Sequence, residues 1–183
     1  IPCIQTLAHV NALFHWPVYR EIHDAADILL TGDERTYELV DGMFRTLREC
    51  LRTNIVNIGM DEAELLGLGQ YLTLHGYRDR FSILMEHLRR VSEMAKKYGF
   101  ELLMWGDMFF RLAGGDYFTN FNQDPELGEI PEKIKQLVPE NVQLVYWDYF
   151  SREQQRYEKN IDAHNAIKSE SWFAGGLWTW AGF

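Results

Sequence analysis

The stretch that decides the fold is Asn54-Ile55-Val56-Asn57-Ile58-Gly59-Met60-Asp61-Glu62-Ala63, a short apolar run that ends on two adjacent carboxylates. Its β-branched residues favour an extended, buried strand. Gly59 has no Cβ, so the backbone can tighten there or another group can come close. Asp61 and Glu62 then fall where the strand gives way to a loop. Carboxylates in such a place need partners, because a buried charge is costly to hold.

Local sequence leaves two interpretations of this pair open. In the first, Asp61 and Glu62 are an acid and a charge stabiliser in an active site. In the second, Asp-Glu-Ala-Glu is a helix N-cap followed by an acidic first turn, where the N–H groups at a helix start favour negative charge. The other strand ends of the chain decide between them.

Composition describes a globular protein of one domain's size. The chain has 183 residues, of which 46% are hydrophobic and 25% charged, as in ordinary folded domains. A net charge of −9 argues against a nucleic-acid partner, and the chain has neither a bilayer-spanning apolar run nor a basic-then-apolar signal segment. Because the chain opens without Met and closes inside an aromatic run, we expect residues 1–183 to be a single segment of a longer domain, truncated at both ends.

The only cysteines are Cys3 and Cys50. Their apolar neighbours predict small core side chains. Two cysteines supply neither a disulfide framework nor metal-ligand spacing. This usage favours a cytoplasmic or cell-associated protein over a disulfide-rich secreted one.

Hydrophobic periodicity predicts alternating strands and helices. The strands are mostly continuous apolar runs, which indicates a parallel α/β sheet buried on both faces. Residues 65–76, with three glycines, are expected to form a structured loop. The predicted strands cover about 1–9, 55–60, 102–105, 142–148 and 172–180, and the helices about 33–52, 79–98, 131–138 and 151–168.

Each predicted strand ends on polar or aromatic residues, which is what the active face of a (β/α) barrel requires. These strand-end residues are His9, Asp61 with Glu62, Trp105 with Asp107, Tyr146 with Asp148, and Trp178 with Trp180. An open doubly wound sheet is the alternative, but no glycine-rich phosphate fingerprint follows the first strand. A complete barrel needs about 250 residues, so the prediction is a partial (β/α)8 TIM barrel of about five parallel units.

With these residues in view, the sequence resembles glycoside hydrolase family 20, the β-N-acetylhexosaminidases. The resemblance covers essentially the whole chain, as strands three to seven of the family's barrel, and looks like the compact bacterial branch. The matching residues, in the family's order, are Ile58-Gly59-Met60-Asp61-Glu62, Trp105, Tyr146-Trp147-Asp148 and Leu177-Trp178-Thr179-Trp180.

The resemblance implies exo-hydrolysis of terminal GlcNAc or GalNAc with retention, assisted by the substrate's own 2-acetamido group. By match to the motif, Glu62 would protonate the leaving oxygen and later activate water. Asp61 would hold the acetamido N–H and stabilise the positive charge. The implied substrate is an oligosaccharide or glycoconjugate with a terminal N-acetylhexosamine, and no cofactor or metal is implied.

The same resemblance assigns substrate-binding roles to the other strand ends. Trp105 and Trp178 would wall the acetamido methyl and the sugar ring, and Tyr146 would donate to the acetamido oxygen. Asp148 would accept from sugar hydroxyls, and His9 matches a family histidine near the sugar or the acid. Ordinary packing is the alternative for the tryptophans and Tyr146, a helix cap for Asp148 and a structural hydrogen bond for His9.

The chain departs from the family at two positions. Asn57 stands where many members carry His, so a relay through that histidine is absent. Trp180 stands where many carry a sugar-binding carboxylate, which suggests altered recognition at C4 or C6. The family's sugar-gripping arginine lies on a first strand outside this chain, so we expect the isolated 183 residues to hydrolyse poorly.

Two other functions remain open on the sequence. One is a metal-dependent barrel hydrolase using His9, Asp61, Asp107 and Asp148, although no close ligand spacing supports it. The other is a non-catalytic carbohydrate-binding fragment.

Overall fold

The computed structural model describes residues 1–113 and 135–176. Four strands alternate with helices along this part of the chain. In chain order the elements are α1 (Asn11–Phe14), a 3₁₀ helix (Pro17–Ile22), α2 (Glu34–Cys50), β1 (Ile55–Asn57), α3 (Gln70–His75), α4 (Arg80–Lys97), β2 (Glu101–Trp105), α5 (Asp107–Ala113), β3 (Val142–Asp148), α6 (Gln154–Ile167) and β4 (Trp172–Gly175).

The four strands form one parallel sheet whose spatial order, β1-β2-β3-β4, is also their order in the chain. Val56 is paired with Leu102, and Leu102 with Val142, so neighbouring strands run in a fixed parallel register. A doubly wound sheet reverses its strand order at a switch point, and the described strands show no reversal. The architecture is α/β and consistent with part of a (β/α) barrel wall.

The predicted first strand is an extended segment that adds to the free edge of β1. Asn57 donates its N–H to the Pro2 carbonyl at 2.9 Å, and Ile4 donates to the Asn57 carbonyl at 2.8 Å. Thr6 then donates to the Ile58 carbonyl from both its N–H and its hydroxyl. The regular pairing is limited to a parallel bridge between Cys3 and Asn57.

The two long helices form where the sequence predicts them, because each has its own start signal and apolar stripe. The carboxylates of Asp33 and Asp79 accept N–H groups from the first turns of α2 and α4, as N-cap residues do. Buried α4 side chains, including Leu84, Leu88 and Val91, share one core with the helix-facing side chains of the sheet.

Three local predictions are wrong. The expected loop at 65–76 contains α3, because the distant Asp24 carboxylate accepts the N–H groups of Gly67 and Tyr71. The helix expected to start at Ser151 begins at Gln154, because Asp148 accepts the Ser151 N–H and holds that residue in a turn. Both cysteines are exposed rather than in the core.

Two predicted elements fall partly on undescribed residues. The strand expected over 172–180 is described only as far as residue 176, and its described part is β4. The start of the helix expected from Pro131 lies outside the described residues. No helix in the described part of the chain is long and apolar enough to cross a membrane.

His87 joins three elements inside the core. Its Nε2 lies 2.9 Å from the Thr6 carbonyl and its Nδ1 lies 3.2 Å from the Tyr37 hydroxyl. A neutral ring that donates from Nε2 and accepts at Nδ1 satisfies both partners. Burial lowers the pKa of His87 to about 4, so the neutral ring persists well below neutral pH.

We predict that His87 makes the protein less stable as the pH falls from about 6.5 towards 4. The unfolded chain binds a proton at this histidine below about pH 6.5, whereas the folded chain binds it only near pH 4. The contribution of His87 to the free energy of unfolding is therefore complete above pH 6.5, and it falls by on the order of 3 kcal/mol towards pH 4.

Urea unfolding between pH 4 and 7 measures this effect. His87→Gln should flatten the curve of unfolding free energy against pH, and exposed His15→Gln should leave it unchanged. His164, whose pKa burial also lowers to about 4, adds a slope of the same sign, and Asp107, whose pKa burial raises to about 6, adds one of the opposite sign. Equal slopes for the wild type and His87→Gln would contradict the prediction.

Candidate functional site

The loop after β1 holds its carboxylates in a strained backbone. Gly59, Met60 and Glu62 have φ values of 71°, 69° and 51°. These values lie in the left-handed region, which residues other than glycine rarely adopt. The Asn57 amide oxygen accepts the Gly59 N–H at 2.9 Å and stabilises the turn. Strain of this kind concentrates at functional sites, and no helix starts at these residues, so the N-cap interpretation is wrong.

Gly59 leaves room for a neighbouring side chain, in addition to adopting a positive φ value. A Cβ at this position would collide with the Gln5 side chain from the neighbouring extended segment. That side chain in turn donates from Nε2 to Asp61 Oδ1 at 3.3 Å. The small residue therefore makes room for a partner of the carboxylate that follows it.

His9 lies between the two carboxylates. Its Nε2 is 3.3 Å from Asp61 Oδ2 and 3.5 Å from Glu62 Oε2. On the other side of the ring, Nδ1 is 3.3 Å from Asp27 Oδ2, which also accepts the His9 backbone N–H at 3.1 Å. Both ring nitrogens face carboxylates, and only the imidazolium form can donate to both.

The two carboxylates differ in how tightly they are held. Gln5 faces one Asp61 oxygen and His9 faces the other, and the Asp61 side chain is 18% exposed. The Glu62 side chain is 44% exposed. The Asp61 carboxyl is thus held in place on both oxygens, whereas the Glu62 carboxyl is open to a molecule arriving from solvent.

Asp107 is a third carboxylate, placed beneath the Glu62 loop at the start of α5. Its Oδ2 accepts the Glu62 N–H at 3.0 Å, and its Oδ1 faces the Trp147 indole N–H at 3.4 Å. Burial is the largest influence on this group and raises its pKa to about 6, with Arg111 opposing the rise and Asp61 adding to it.

The aromatic residues of the sheet divide between its two faces, because side chains alternate along a strand. By register, Asn57, Leu103 and Gln143 share one face, which Trp105 and Trp147 also occupy. Trp147 stacks on Tyr149 with ring centroids 5.6 Å apart. Burial and then the nearby Asp61 charge raise the pKa of Tyr149, so this phenol belongs to the carboxylate side.

The structure places Tyr146 and Asp148 on the opposite face, against α6. The Tyr146 ring lies 5.2 Å from His164 and also contacts Phe173. Its hydroxyl donates to Asp148 Oδ2 at 2.9 Å, while Asp148 Oδ1 accepts the N–H groups of Phe150 and Ser151.

Of the site residues predicted from sequence, the structure therefore brings His9, Asp61 and Glu62 into contact. Trp105 is on the same side of the sheet, and Tyr146 and Asp148 are on the other. Trp178 and Trp180 lie outside the described residues. Among the described residues, no group of three or more His, Cys, Asp or Glu side chains is arranged to hold a metal ion.

Sequence reasoning missed several partners of the carboxylates, namely Gln5, Asp27, Arg111 and Tyr149. It included Trp147 in the strand-end motif but not its contact with Asp107. The Asp107–Arg111 pair has a detectable signal, because residues four apart on a helix are neighbours. Gln5 and Asp27 have no local signal, since they reach the site from segments 56 and 18 residues away from their partners.

No protein-family model matches the sequence, and no curated protein does. Solved structures do match the fold. A family 20 β-N-acetylhexosaminidase from Streptomyces coelicolor aligns with 97% of the chain at 17% identity and a TM-score of 0.56. A β-N-acetylhexosaminidase from Bacteroides fragilis aligns with 100% of it at 14% identity and a TM-score of 0.61.

A mutant β-hexosaminidase from Streptomyces plicatus, solved with its product GlcNAc, aligns with 97% of the chain at 16% identity and a TM-score of 0.56. The chain spans 30%, 34% and 30% of these three proteins, about a third of their length. At such identities the likeness concerns the fold alone. The described part of the chain thus has a glycoside hydrolase-like α/β fold, with the parallel sheet of a partial barrel.

Proposed function

We propose that Asp61 and Glu62 are the catalytic pair of an exo-β-N-acetylhexosaminidase that removes terminal GlcNAc or GalNAc. The proposal concerns the whole protein, of which this chain supplies the carboxylate edge of the barrel. The observation that carries it is the unequal pair, in which Asp61 is held on both oxygens and adjacent Glu62 remains 44% exposed. The hexosaminidase-like fold supports the same assignment.

In the proposed reaction, the Glu62 carboxyl gives its proton to the glycosidic oxygen as the bond to C1 breaks. The 2-acetamido carbonyl oxygen of the substrate attacks C1 from the opposite face and closes an oxazolinium ring. The Glu62 carboxylate then takes a proton from water, and this water opens the ring with retention at C1. No protein nucleophile is needed.

Asp61 accepts the acetamido N–H and stabilises the positive charge that develops on the ring. Gln5 and His9 already hold its oxygens, so little reorganisation accompanies the reaction. Prearranged charge of this kind is commonly the largest contribution to catalysis. His9, which also faces Glu62 Oε2, keeps the two carboxylates from repelling one another.

Aromatic side chains on the carboxylate face supply the apolar part of the pocket. Trp105 remains the proposed wall for the acetamido methyl, and Trp178 and Trp180 remain proposed sugar contacts. Tyr149 is the better-supported donor to the acetamido oxygen, because it stacks on Trp147 on the carboxylate face of the sheet. Tyr146 and Asp148 are the alternative contacts, and they reach the sugar only if the end of β3 turns away from α6.

Glu62→Gln should lower kcat by about 10²–10⁴-fold on a disaccharide with a terminal β-linked GlcNAc, because the leaving sugar needs a proton. The loss should be smaller on p-nitrophenyl β-GlcNAc, whose leaving group departs without one. Steady-state kinetics of the full-length protein measure both, with Glu38→Gln, an exposed carboxylate of α2, as the control. Equal losses on the two substrates would argue against acid catalysis by Glu62.

Substrate choice separates the proposed reaction from its rivals. p-Nitrophenyl β-GlcNAc or β-GalNAc should be cleaved and the β-glucoside should not, since only the first two carry the attacking acetamido group. EDTA should leave the rate unchanged. Efficient cleavage of the glucoside would exclude acetamido assistance, loss of activity in EDTA would favour a metal-dependent hydrolase, and binding without turnover would favour a carbohydrate-binding protein.

Matched Tyr→Phe variants distinguish the two candidate hydroxyls. Tyr149→Phe should lower kcat on acetamido substrates by on the order of 10²-fold, as loss of one transition-state donor does. Tyr146→Phe removes the bond to Asp148 and should cost about 1 kcal/mol of stability with kcat nearly unchanged. The reverse pattern would assign the acetamido contact to Tyr146.

A further inference from the structure

We infer that Asp107 and Arg111 are a positioning pair that fixes the Glu62 loop and aims the Glu62 carboxylate. The inference rests on the proposed function for its consequence in catalysis. Its structural part, the hold of Asp107 on the Glu62 backbone, stands separately and can be measured without activity.

The backbone of Glu62 is strained and is held by hydrogen bonds on both sides. A φ of 51° costs a residue with a side chain on the order of 1 kcal/mol, so partners must hold it. The Asp107 carboxylate accepts the Glu62 N–H at 3.0 Å, and the Glu62 carbonyl accepts the Glu64 N–H at 2.7 Å. Both polar backbone groups of Glu62 are thus engaged, one of them by a charge.

Asp107 lies between the ends of neighbouring strands. It begins α5 directly after β2, bonds to the loop after β1, and faces the Trp147 indole on β3. Its side chain is 8% exposed. One buried carboxylate therefore ties together the ends of three adjacent strands, and the Glu62 backbone is set by the sheet rather than by its own loop.

Arg111 lies one turn after Asp107 on α5. Its Nε lies 3.4 Å from Asp107 Oδ2, its Nη2 lies 4.0 Å from Glu62 Oε1, and its Nη1 contacts the Glu64 carboxylate. His9 faces the other Glu62 oxygen, Oε2. Glu62 thus has a nitrogen of Arg111 near one carboxylate oxygen and a nitrogen of His9 near the other, and these two contacts orient the carboxylate.

The charges around Glu62 predict how its proton responds to change. The groups facing it are His9 with Asp27 behind it, Asp61 and Glu64 on its own loop, and Asp107 with Arg111 on α5. A neighbouring negative charge favours the protonated acid, and a positive charge disfavours it. Removing Asp107 and removing Arg111 should therefore change the charge around the Glu62 carboxyl in opposite directions.

Asp107→Asn and Arg111→Gln in the full-length protein test the pair. Both should lower kcat on a disaccharide with a terminal β-linked GlcNAc by about 10- to 100-fold, with KM changed much less, because a small misplacement of a catalytic group is costly. The alkaline limb of the kcat profile should shift by on the order of half a pH unit or more, downward in Asp107→Asn and upward in Arg111→Gln.

Asp41→Asn is the matched control, because this carboxylate pairs with Lys97 and Tyr98 on helices away from the site. It should change neither kcat nor the pH profile. Shifts of the same sign in Asp107→Asn and Arg111→Gln, or none in either, would overturn the positioning role. A merely structural loss would lower activity in both variants without opposite pH shifts.

The Glu62 backbone amide supplies a readout that does not need turnover. Its ¹⁵N–¹H signal should titrate with a midpoint near pH 6, as its acceptor Asp107 gains a proton, and this titration should vanish in Asp107→Asn. If the Glu62 amide signal titrates but the full-length protein has no hexosaminidase activity, the proposed function is wrong and the hydrogen bond from the Glu62 amide to Asp107 is confirmed. If the full-length protein is active but its Glu62 amide titrates in the same way in wild type and Asp107→Asn, the positioning role of Asp107 is wrong and the proposed function stands.

Discussion

The carboxyl edge of the sheet depends on a balance of charge around Asp61 and Glu62. Five acidic side chains meet there, and the Arg111 guanidinium and the His9 imidazole lie among them. Carboxylates so close to one another are stable as ions only where cations and N–H donors compensate them. The chain meets this requirement by bringing in His9 from one side and Arg111 from the other.

The sheet supplies the rigidity that this balance requires. β1 is hydrogen-bonded on one edge to the segment carrying Gln5 and His9 and on the other to β2, which leads into Asp107. The partners of the carboxylates therefore come from the two neighbours of the strand that carries them. A strained loop persists between such neighbours because their hydrogen bonds over-determine its conformation.

Alternation along β3 divides chemically similar residues between two functions. Trp147 and Tyr149 lie on the side of the carboxylates, whereas Tyr146 and Asp148 contact α6 and hold the turn that follows the strand. Two adjacent aromatic residues at a strand end thus have opposite surroundings. The alternation puts the Tyr149 phenol on the side of Asp61 and the Tyr146 phenol on the side of α6.

The amino-acid sequence by itself determined the helices α2 and α4, the parallel strands and the strand-end location of Asp61 and Glu62, because caps, periodicity and apolar runs are local signals. Tertiary structure alone decided which side chains accompany the pair. Gln5 and Asp107 reach it across 56 and 45 residues of chain, a distance over which no local pattern operates. Tertiary structure also decided on which face of the sheet the Tyr146 side chain lies. A continuous apolar strand is compatible with either register, and only packing against α6 distinguishes the two.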